Sequence, residues 1–338
     1  MDSLTQIVLG AAVGEAVLGK KVGSRAMLWG AVAGTIPDLD VLVRLFTDDI
    51  TATAMHRGIS HSLFFAIAMA PILGWLVNKI HRKRDIGVKP WAWLFFWSLV
   101  THPLLDMHTN WGTQFFWPFN YRIAYNNIFV ADPVYTVPFL IFTLIALFMK
   151  RTNPKRAKIN RIGLIVSSSY MFLTILFKWV SFNSFEKQLE KDKIEYVNLD
   201  TNPAPLNAIL WCANVETKNG FRLGYYSFFD SKPIQFSDEI PKNHHLIRPY
   251  LKQKKIQQLI QISAGNYIVE EISPDTLHFI DVRFGQMSFD PNDRAFMWRY
   301  ELTPVSENRV KVKRVSRSPK DMNMGKLFND LWVRMWGN

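Results

Sequence analysis

Long apolar runs make up the first half of the chain, whereas the second half alternates apolar with polar residues. A helix that crosses a membrane needs about 20 mostly apolar residues. Six segments approach that requirement, at residues 3–19, 26–46, 61–78, 91–106, 133–149 and 162–181. The pattern therefore predicts a multi-span α-helical membrane domain of about six helices over residues 1–181.

The chain from residue 182 onward predicts a soluble domain. An amphipathic stretch over residues 183–194 is followed by strand-like runs such as FRLGYYSFFD and LHFIDVRFG. Turn residues separate several of these runs, as in Ser273-Pro274-Asp275. We therefore expect a β-rich α+β domain over residues 182–338.

Glycines in the first two apolar segments follow a small-residue spacing. Gly10 and Gly14 are four apart, and so are Gly30 and Gly34. This spacing lets two helices approach closely in a membrane. The alternative is that both segments are simply rich in alanine and glycine, with no special contact between them.

The distribution of charged residues predicts on which side of the membrane each connection lies. The chain has 40 Lys and Arg against 28 Asp and Glu, a formal net charge of +12. Much of the excess lies in short loops after the first, third and fifth apolar segments, at residues 20–25, 79–89 and 150–161. Short basic loops mark the cytoplasmic side of a membrane protein. No nucleic-acid-binding motif accompanies them, so we expect no nucleic-acid partner.

The other connections have few basic residues. Residues 47–60 and 107–132 contain only Arg57 and Arg122 as cations, which predicts that they lie on the outer side. With six spans, the C-terminal domain is then extracytoplasmic. The single cysteine, Cys212, excludes an intrachain disulfide and predicts a small buried apolar residue.

The residues that could bind a metal ion lie on the predicted outer side. Three histidines and three aspartates from different segments fall at or near that boundary: Asp38, Asp40, His56, His61, His102 and Asp106. Ionisable residues are costly at membrane depth, and their presence there indicates function. Mixed imidazole and carboxylate ligands suit Zn²⁺, with Mn²⁺ or Fe²⁺ as alternatives, and the set suffices for one or two ions.

Spacing refines the ligand assignment. His102 and Asp106 are four apart and share a helix face, so they could bind one metal ion or simply form a hydrogen-bonded pair. His56 and His61 are five apart and converge only through a turn, in which we expect Ser60 to be the N-cap of the next helix.

The two aspartates of GTIPDLD, Asp38 and Asp40, would point apart on a regular helix. Either Pro37 distorts the helix, or one aspartate binds the metal and the other orients a ligand. A purely structural alternative is that Asp38 caps a helix after the proline.

The motifs GTIPDLD, HRGISHS and HPLLDMHTNWGTQFFWP, in this order among apolar spans, resemble the YdjM-like family of inner-membrane metal-dependent hydrolases. The resemblance covers roughly residues 1–180. It implies a multi-pass protein of the bacterial cytoplasmic (inner) membrane, with the metal residues Asp38, Asp40, His56, His61, His102 and Asp106. The family begins with Thr-His, whereas this chain has Thr5-Gln6.

The ligand types are also similar to those of helical zinc phosphoesterases of the phospholipase C and nuclease type. We therefore expect hydrolysis of a phosphoester or lipid-linked substrate at the outer membrane face, with membrane lipids as partners. Asp38 is the predicted general base, and Arg57 is the predicted catalytic clamp for a phosphate oxygen. His108 and Asp132, on the same side, are assigned to substrate binding.

Other functions use similar residues. An ion-coupled transporter would also carry intramembrane aspartates and histidines, although the two halves show no inverted repeat. A membrane metalloprotease is a second alternative, but the chain contains no His-Glu-x-x-His. A scaffold that retains a purely structural metal ion is the third.

Overall fold

The N-terminal half of the protein is helical. The computed structural model describes residues 1–315 and 323–338. The α-helices up to residue 191 are α1 (Ser3–Val22), α2 (Ser24–Thr35), α3 (Asp49–Met55), α4 (Leu63–Ile80), α5 (Val88–Asp106), α6 (Pro133–Phe148) and α7 (Pro154–Lys191). Two stretches form 3-10 helices that matter for the site, Pro37–Leu45 and Ile59–His61.

The chain divides into two compact units. The first comprises Met1–Val43, Met55–Leu176 and Pro205–Asn207. The second comprises Arg44–Ala54, Phe177–Ala204 and Ala208–Asn338. Helix α7 contributes residues to both units, and the predicted boundary at 181/182 falls inside this helix.

Two to three elements of the helical half qualify as membrane spans among the described residues. Helices α4 and α7 are long and apolar enough to cross a membrane. Helix α2 and the 3-10 helix Pro37–Leu45 qualify only together, and a 45° bend separates them. Helix α6 has only 16 residues, and α1 carries the polar Gln6 and Glu15. Six spans are therefore not confirmed, because several predicted segments are too short or too polar to qualify.

Helices α1 and α2 meet backbone to backbone at their glycines. A Cβ atom on Gly10 would lie 2.2 Å from the carbonyl oxygen of Gly30, and one on Gly30 would lie 2.1 Å from that of Gly10. A Cβ atom on Gly34 would lie 2.5 Å from the carbonyl oxygen of Gln6. The close approach predicted from the spacing is confirmed, and it sets the start of α1 beside the end of α2.

A buried ion pair links α1 to α7. Arg156 donates to both carboxylate oxygens of Glu15, at 2.8 and 2.6 Å, and both side chains are almost fully buried. The same guanidinium donates to the carbonyl oxygen of Met149 and to the hydroxyl of Ser24. A buried charge is tolerated only when it is paired and hydrogen-bonded in this way, so Glu15 depends on Arg156.

The second unit is built on two antiparallel sheets. The first sheet has the order β1 (Asn198–Pro203), β2 (Leu210–Glu216), β3 (Gly220–Ser227) and β4 (Ile240–Pro241). The second has the order β5 (Tyr267–Ser273), β6 (Thr276–Gln286), β7 (Phe296–Ser306) and β8 (Arg309–Val315). Two further helices, α8 (Lys254–Ile262) and α9 (Met324–Met335), accompany them, so the β-rich character predicted for this part is confirmed.

The core of the second unit joins both sheets through apolar side chains. Phe221 and Leu223 of β3 belong to the same buried cluster as Ile268 of β5 and Ile280 of β6. Cys212 is buried as well, and burial raises the pKa of its thiol to about 12. Cys212 is therefore a packing residue rather than a reactive thiol.

The contact between α1 and α2 makes a direct prediction. Gly30→Leu places a side chain where the backbone of α1 lies, and overpacking of this kind costs about 1–3 kcal/mol or more. We expect a lower melting temperature in detergent. Val32→Leu, on the exposed face of the same helix, is the matched control and should melt as the wild type does. Equal melting temperatures for the two variants would contradict the direct backbone contact.

Candidate metal centre

Three local structures bring the candidate residues together. After Ile36 the chain leaves α2 and enters the 3-10 helix Pro37–Leu45, which carries Asp38 and Asp40. Residues two apart on a 3-10 helix point about 120° away from each other, and these two carboxylates lie beside different nitrogens of His61, Asp38 at Nε2 and Asp40 at Nδ1. Asp38 faces the imidazoles of His61 and His102, whereas Asp40 faces the loop that precedes α4.

The loop before α4 turns sharply at Arg57, whose φ is 57°. The 3-10 turn Ile59–His61 follows, and α4 begins only at Leu63. Its N-cap is Ser62, which accepts a hydrogen bond from the backbone N–H of Phe65. The prediction of Ser60 as the N-cap was therefore wrong, because the 3-10 turn delays the helix by two residues.

The end of α5 supplies two more groups. His102 and Asp106 lie on one face of the helix, with His102 Nε2 3.5 Å from Asp106 Oδ2. His102 Nδ1 lies 2.6 Å from the carbonyl oxygen of Gly34. Because a carbonyl oxygen only accepts, Nδ1 carries the hydrogen and Nε2 presents its lone pair to the carboxylates.

Four side chains converge within 4.8 Å of one another: Asp38, His61, His102 and Asp106. His61 Nε2 lies 3.3 Å from Asp38 Oδ1, 3.4 Å from Asp106 Oδ2 and 3.2 Å from His102 Nε2. The distances from His102 Nε2 to the same two carboxylate oxygens are both 3.5 Å. We refer to these four residues as the metal group.

These spacings fit a tetrahedral ion. With metal–ligand bonds of about 2.0–2.1 Å, neighbouring ligand atoms lie about 3.3–3.4 Å apart. Five of the distances within the metal group lie between 3.2 and 3.5 Å. Asp106 Oδ2 is buried and accepts no well-directed hydrogen bond among the described residues, which leaves its lone pairs for a cation. The residues present therefore fit a divalent metal ion.

Charge at the site also favours a cation. Burial alone lowers the pKa of His61, but contacts with the carboxylates of Asp106, Asp38 and Asp40 raise it to about 9. Two imidazole lone pairs 3.2 Å apart repel each other unless a proton or a metal ion lies between them. Metal binding requires the neutral imidazole, so a metal ion would replace the proton on His61.

Asp40 orients the metal group without belonging to it. Its Oδ2 accepts hydrogen bonds from the backbone N–H of Arg57 at 2.9 Å and from the hydroxyl of Ser60 at 3.0 Å. The hydroxyl of Ser60 therefore has a lone pair left for His61 Nδ1, 3.0 Å away. This chain fixes the His61 ring with Nε2 toward the metal group, a role that carboxylates commonly play beside metal-binding histidines.

The remaining predicted ligand, His56, lies outside the metal group. His56 Nδ1 contacts Asp40 Oδ1 at 2.7 Å, and its side chain is 27% exposed. His56 therefore acts on the site through Asp40, which in turn contacts His61.

Arg57 is buried against the metal group. Its Nε atom lies 3.1 Å from Asp106 Oδ2, and its guanidinium donates to the hydroxyl of Thr109 at 2.9 Å. Thr109 in turn donates to the backbone carbonyl oxygen of Asp106. Thr109 was not among the predicted residues, although its position three residues after Asp106 places it in the turn that ends α5.

Gln6 approaches the site from α1. Its side-chain amide donates to Asp106 Oδ1 at 3.0 Å and to the carbonyl oxygen of His102 at 3.2 Å. The amino group of Met1 forms an ion pair with the same carboxylate oxygen. Gln6 thus supports a metal-group residue at the position where the resembling family has a histidine.

The structure places His108 and Asp132 among other partners. His108 Nδ1 contacts Asn127 Oδ1 at 2.8 Å. Asp132 is fully buried, caps α6 by accepting from the backbone N–H groups of Val134 and Tyr135, and accepts from the hydroxyl of Tyr170 at 2.9 Å. These contacts give both residues local structural roles.

Comparisons with known proteins cover the helical half. Residues 1–185 match the family model described as YdjM inner membrane protein. The chain is 28% identical over 120 residues to the inner membrane protein YbcI of Escherichia coli (strain K12), which covers 35% of this chain and 67% of that protein. No solved structure matches the chain. The family match includes every residue of the metal group.

We expect substitutions of the two histidines of HRGISHS to have different effects on metal binding. His61→Ala removes a nitrogen of the metal group and should abolish metal binding, whereas His56→Ala should leave the bound metal near the wild-type stoichiometry. Metal content by mass spectrometry of detergent-purified protein, after equilibration with zinc and removal of the excess, measures both. Equal loss in the two variants would show that the four-residue metal group is assigned incorrectly.

Proposed function

The chain belongs to the YdjM inner membrane protein family, and from that premise we propose that it is a membrane-bound, metal-dependent hydrolase. The burial pattern of the metal group carries the proposal. The side chains of His61, His102 and Asp106 are fully buried, whereas that of Asp38 is 23% exposed. Catalytic metal sites usually combine three protein ligands with one position open to water or substrate. In this proposal the three buried side chains are those ligands, and Asp38, at the exposed side, leaves the fourth position to water.

Each residue of the metal group takes a role in this proposal. His61, His102 and Asp106 hold the ion, which is Zn²⁺ by preference, with Mn²⁺ or Fe²⁺ as alternatives for this donor set. When bound, the ion supplies Lewis acidity and a water molecule of lowered pKa. Asp38, at the exposed side, accepts the proton of the attacking water. Asp40 keeps the His61 ring in place throughout.

Arg57 contributes positive charge beside the reaction site. Its Nε atom is 3.1 Å from Asp106 Oδ2, so it keeps that carboxylate ionised and positioned. A guanidinium this close to the metal group also favours a negatively charged group at the exposed side. Its burial at 5% exposure makes Arg57 a fixed charge rather than a mobile clamp.

A lipid-linked substrate fits the residues around the site. The loop of residues 107–132 exposes Phe116, Phe119, Tyr121 and Tyr125, each by more than half. Aromatic side chains concentrate at membrane–water interfaces. We therefore propose that the substrate is a phosphoester of a membrane lipid or of a lipid-linked molecule. The reaction would take place at the outer face of the cytoplasmic membrane.

Hydrolysis by purified protein tests this proposal. Zinc-loaded wild type in nanodiscs should release phosphate or a phosphorylated head group from at least one member of a panel of phospholipids and lipid phosphates. Asp38→Asn should lower turnover by about 10²–10⁴-fold, the usual effect of losing a general base, while at least half of the metal is retained. Asp85→Asn, in the loop after α4, is the matched control with wild-type turnover.

Two outcomes would contradict the assignment in different ways. Wild type that cleaves no member of the panel, nor any peptide, while binding zinc would favour a scaffold with a structural metal ion. Asp38→Asn with normal turnover would leave the hydrolase intact but remove Asp38 as the base.

The topology has its own test. In a Cys212→Ala background, Tyr121→Cys should react with a membrane-impermeant maleimide in intact spheroplasts, because loop 107–132 faces outward. Lys83→Cys, in the basic loop after α4, should react only after permeabilisation. The reverse pattern would place the metal group at the cytoplasmic face.

A further inference from the structure

A polar cavity lies at the ends of α1 and α2 that are opposite to the metal group. It is open, has a volume of about 710 Å³ and lies between the turn that joins these helices and the connection from α6 to α7. Its polar side chains are those of Ser24, Arg25, Arg84, Lys150, Arg151 and Arg156. None of the described lining residues is acidic.

Four exposed cations of this cavity lack a carboxylate partner. Within residues 1–315 and 323–338, no carboxylate lies within 4.0 Å of the charged nitrogens of Arg25, Arg84, Lys150 or Arg151. Positive charge left unpaired at one concave surface attracts an anion.

Arg156 forms the floor of the cavity and is already occupied. Its guanidinium donates to Glu15, to the Ser24 hydroxyl and to the carbonyl oxygen of Met149. It therefore holds the cavity in shape and leaves the binding of an anion to the unpaired cations above it. Arg151 donates one hydrogen bond, to the carbonyl oxygen of Lys21, which fixes the rim in the same way.

The first turn of α2 adds backbone donors. This helix begins at Ser24, and its N-cap, Gly23, has a φ of 65° and provides no side-chain hydrogen bond to the N–H groups of the first turn. The N–H of Ala26 donates to the carbonyl oxygen of Gly23, and the positive end of the helix dipole favours an anion beside this turn. Cavity, unpaired cations and helix start thus coincide.

We propose that this cavity binds the phosphate group of an anionic phospholipid. The rim carries the apolar Leu28, whose side chain is 59% exposed. The next residue, Trp29, lines an apolar cavity of about 500 Å³ together with Ile36 and Leu73. A phosphate at the start of α2 thus has an apolar surface beside it along the same helix, which favours a lipid over free phosphate. This site is independent of the hydrolase proposal.

Lipid binding by native mass spectrometry tests the proposal. Wild type in a non-ionic detergent should bind phosphatidylglycerol at least tenfold more tightly than phosphatidylcholine of the same acyl chains. Arg25→Ala/Arg84→Ala should weaken phosphatidylglycerol binding about tenfold or more, a loss of about 1.4 kcal/mol or more, because it removes two of the cations that would contact the phosphate. Arg82→Ala/Lys83→Ala removes the same amount of charge from the loop after α4, outside the cavity lining, and should change the affinity less than twofold.

A second variant separates binding from folding. Arg25→Lys/Arg84→Lys keeps both charges and should bind phosphatidylglycerol within about threefold of wild type, and all variants should melt alike without lipid. Equal weakening in both alanine pairs, or equal binding of the two lipids, would overturn the proposal. Displacement of the lipid by millimolar inorganic phosphate alone would identify free phosphate as the ligand instead.

Discussion

The direct backbone contact between α1 and α2 is the constraint on which the metal centre depends. Side chains at Gly10 or Gly30 would collide with the opposite helix, so the two axes approach as closely as their backbones allow. One end of this contact sets Gln6 next to Asp106, and the carbonyl oxygen of Gly34 next to His102. The ring orientation of a metal-group histidine is therefore a consequence of helix packing some distance away.

Charge balance explains why so many ionisable groups can share a buried site. The carboxylate of Asp106 lies among Arg57, the amino group of Met1 and two imidazoles. Asp40 is compensated by hydrogen bonds from a backbone N–H and a hydroxyl. Asp40 and Asp106 thus have donors or positive charges beside them, and Asp106 Oδ2, which accepts no well-directed hydrogen bond among the described residues, faces the place where a cation would complete the set.

Sequence spacing predicted the parts of the site that depend on regular helices. His102 and Asp106 share a face because residues four apart do so on any α-helix, and the glycine spacing gave the α1–α2 contact for the same reason. The sequence could not show that Asp38 belongs to the metal group while Asp40 orients His61, because these positions depend on a 3-10 helix after Pro37. Two alternatives were left open there, and features of both are present: the chain after Pro37 is a 3-10 helix rather than a regular α-helix, and Asp40 contacts His61 from outside the metal group.

Other features depended on contacts that spacing does not encode. The capping role of Asp132 and its bond to Tyr170 join residues 38 positions apart, and Ser62 became the N-cap only because a 3-10 turn precedes it. The six predicted membrane spans are not confirmed for a different reason. An apolar stretch of sequence does not define where a helix ends, and α6 ends after 16 residues.

The buried ion pair between Glu15 and Arg156 can form only late in the synthesis of the helical half. The two residues are 141 positions apart, and at about 5–20 residues per second a ribosome needs on the order of 10 s to make the intervening chain. During that interval α1 has been synthesised, but the Arg156 side chain that pairs with the Glu15 carboxylate has not. The buried ion pair that joins α1 to α7 can therefore close only after the start of α7 is synthesised, well after α1 and α2 are both available to pack on each other.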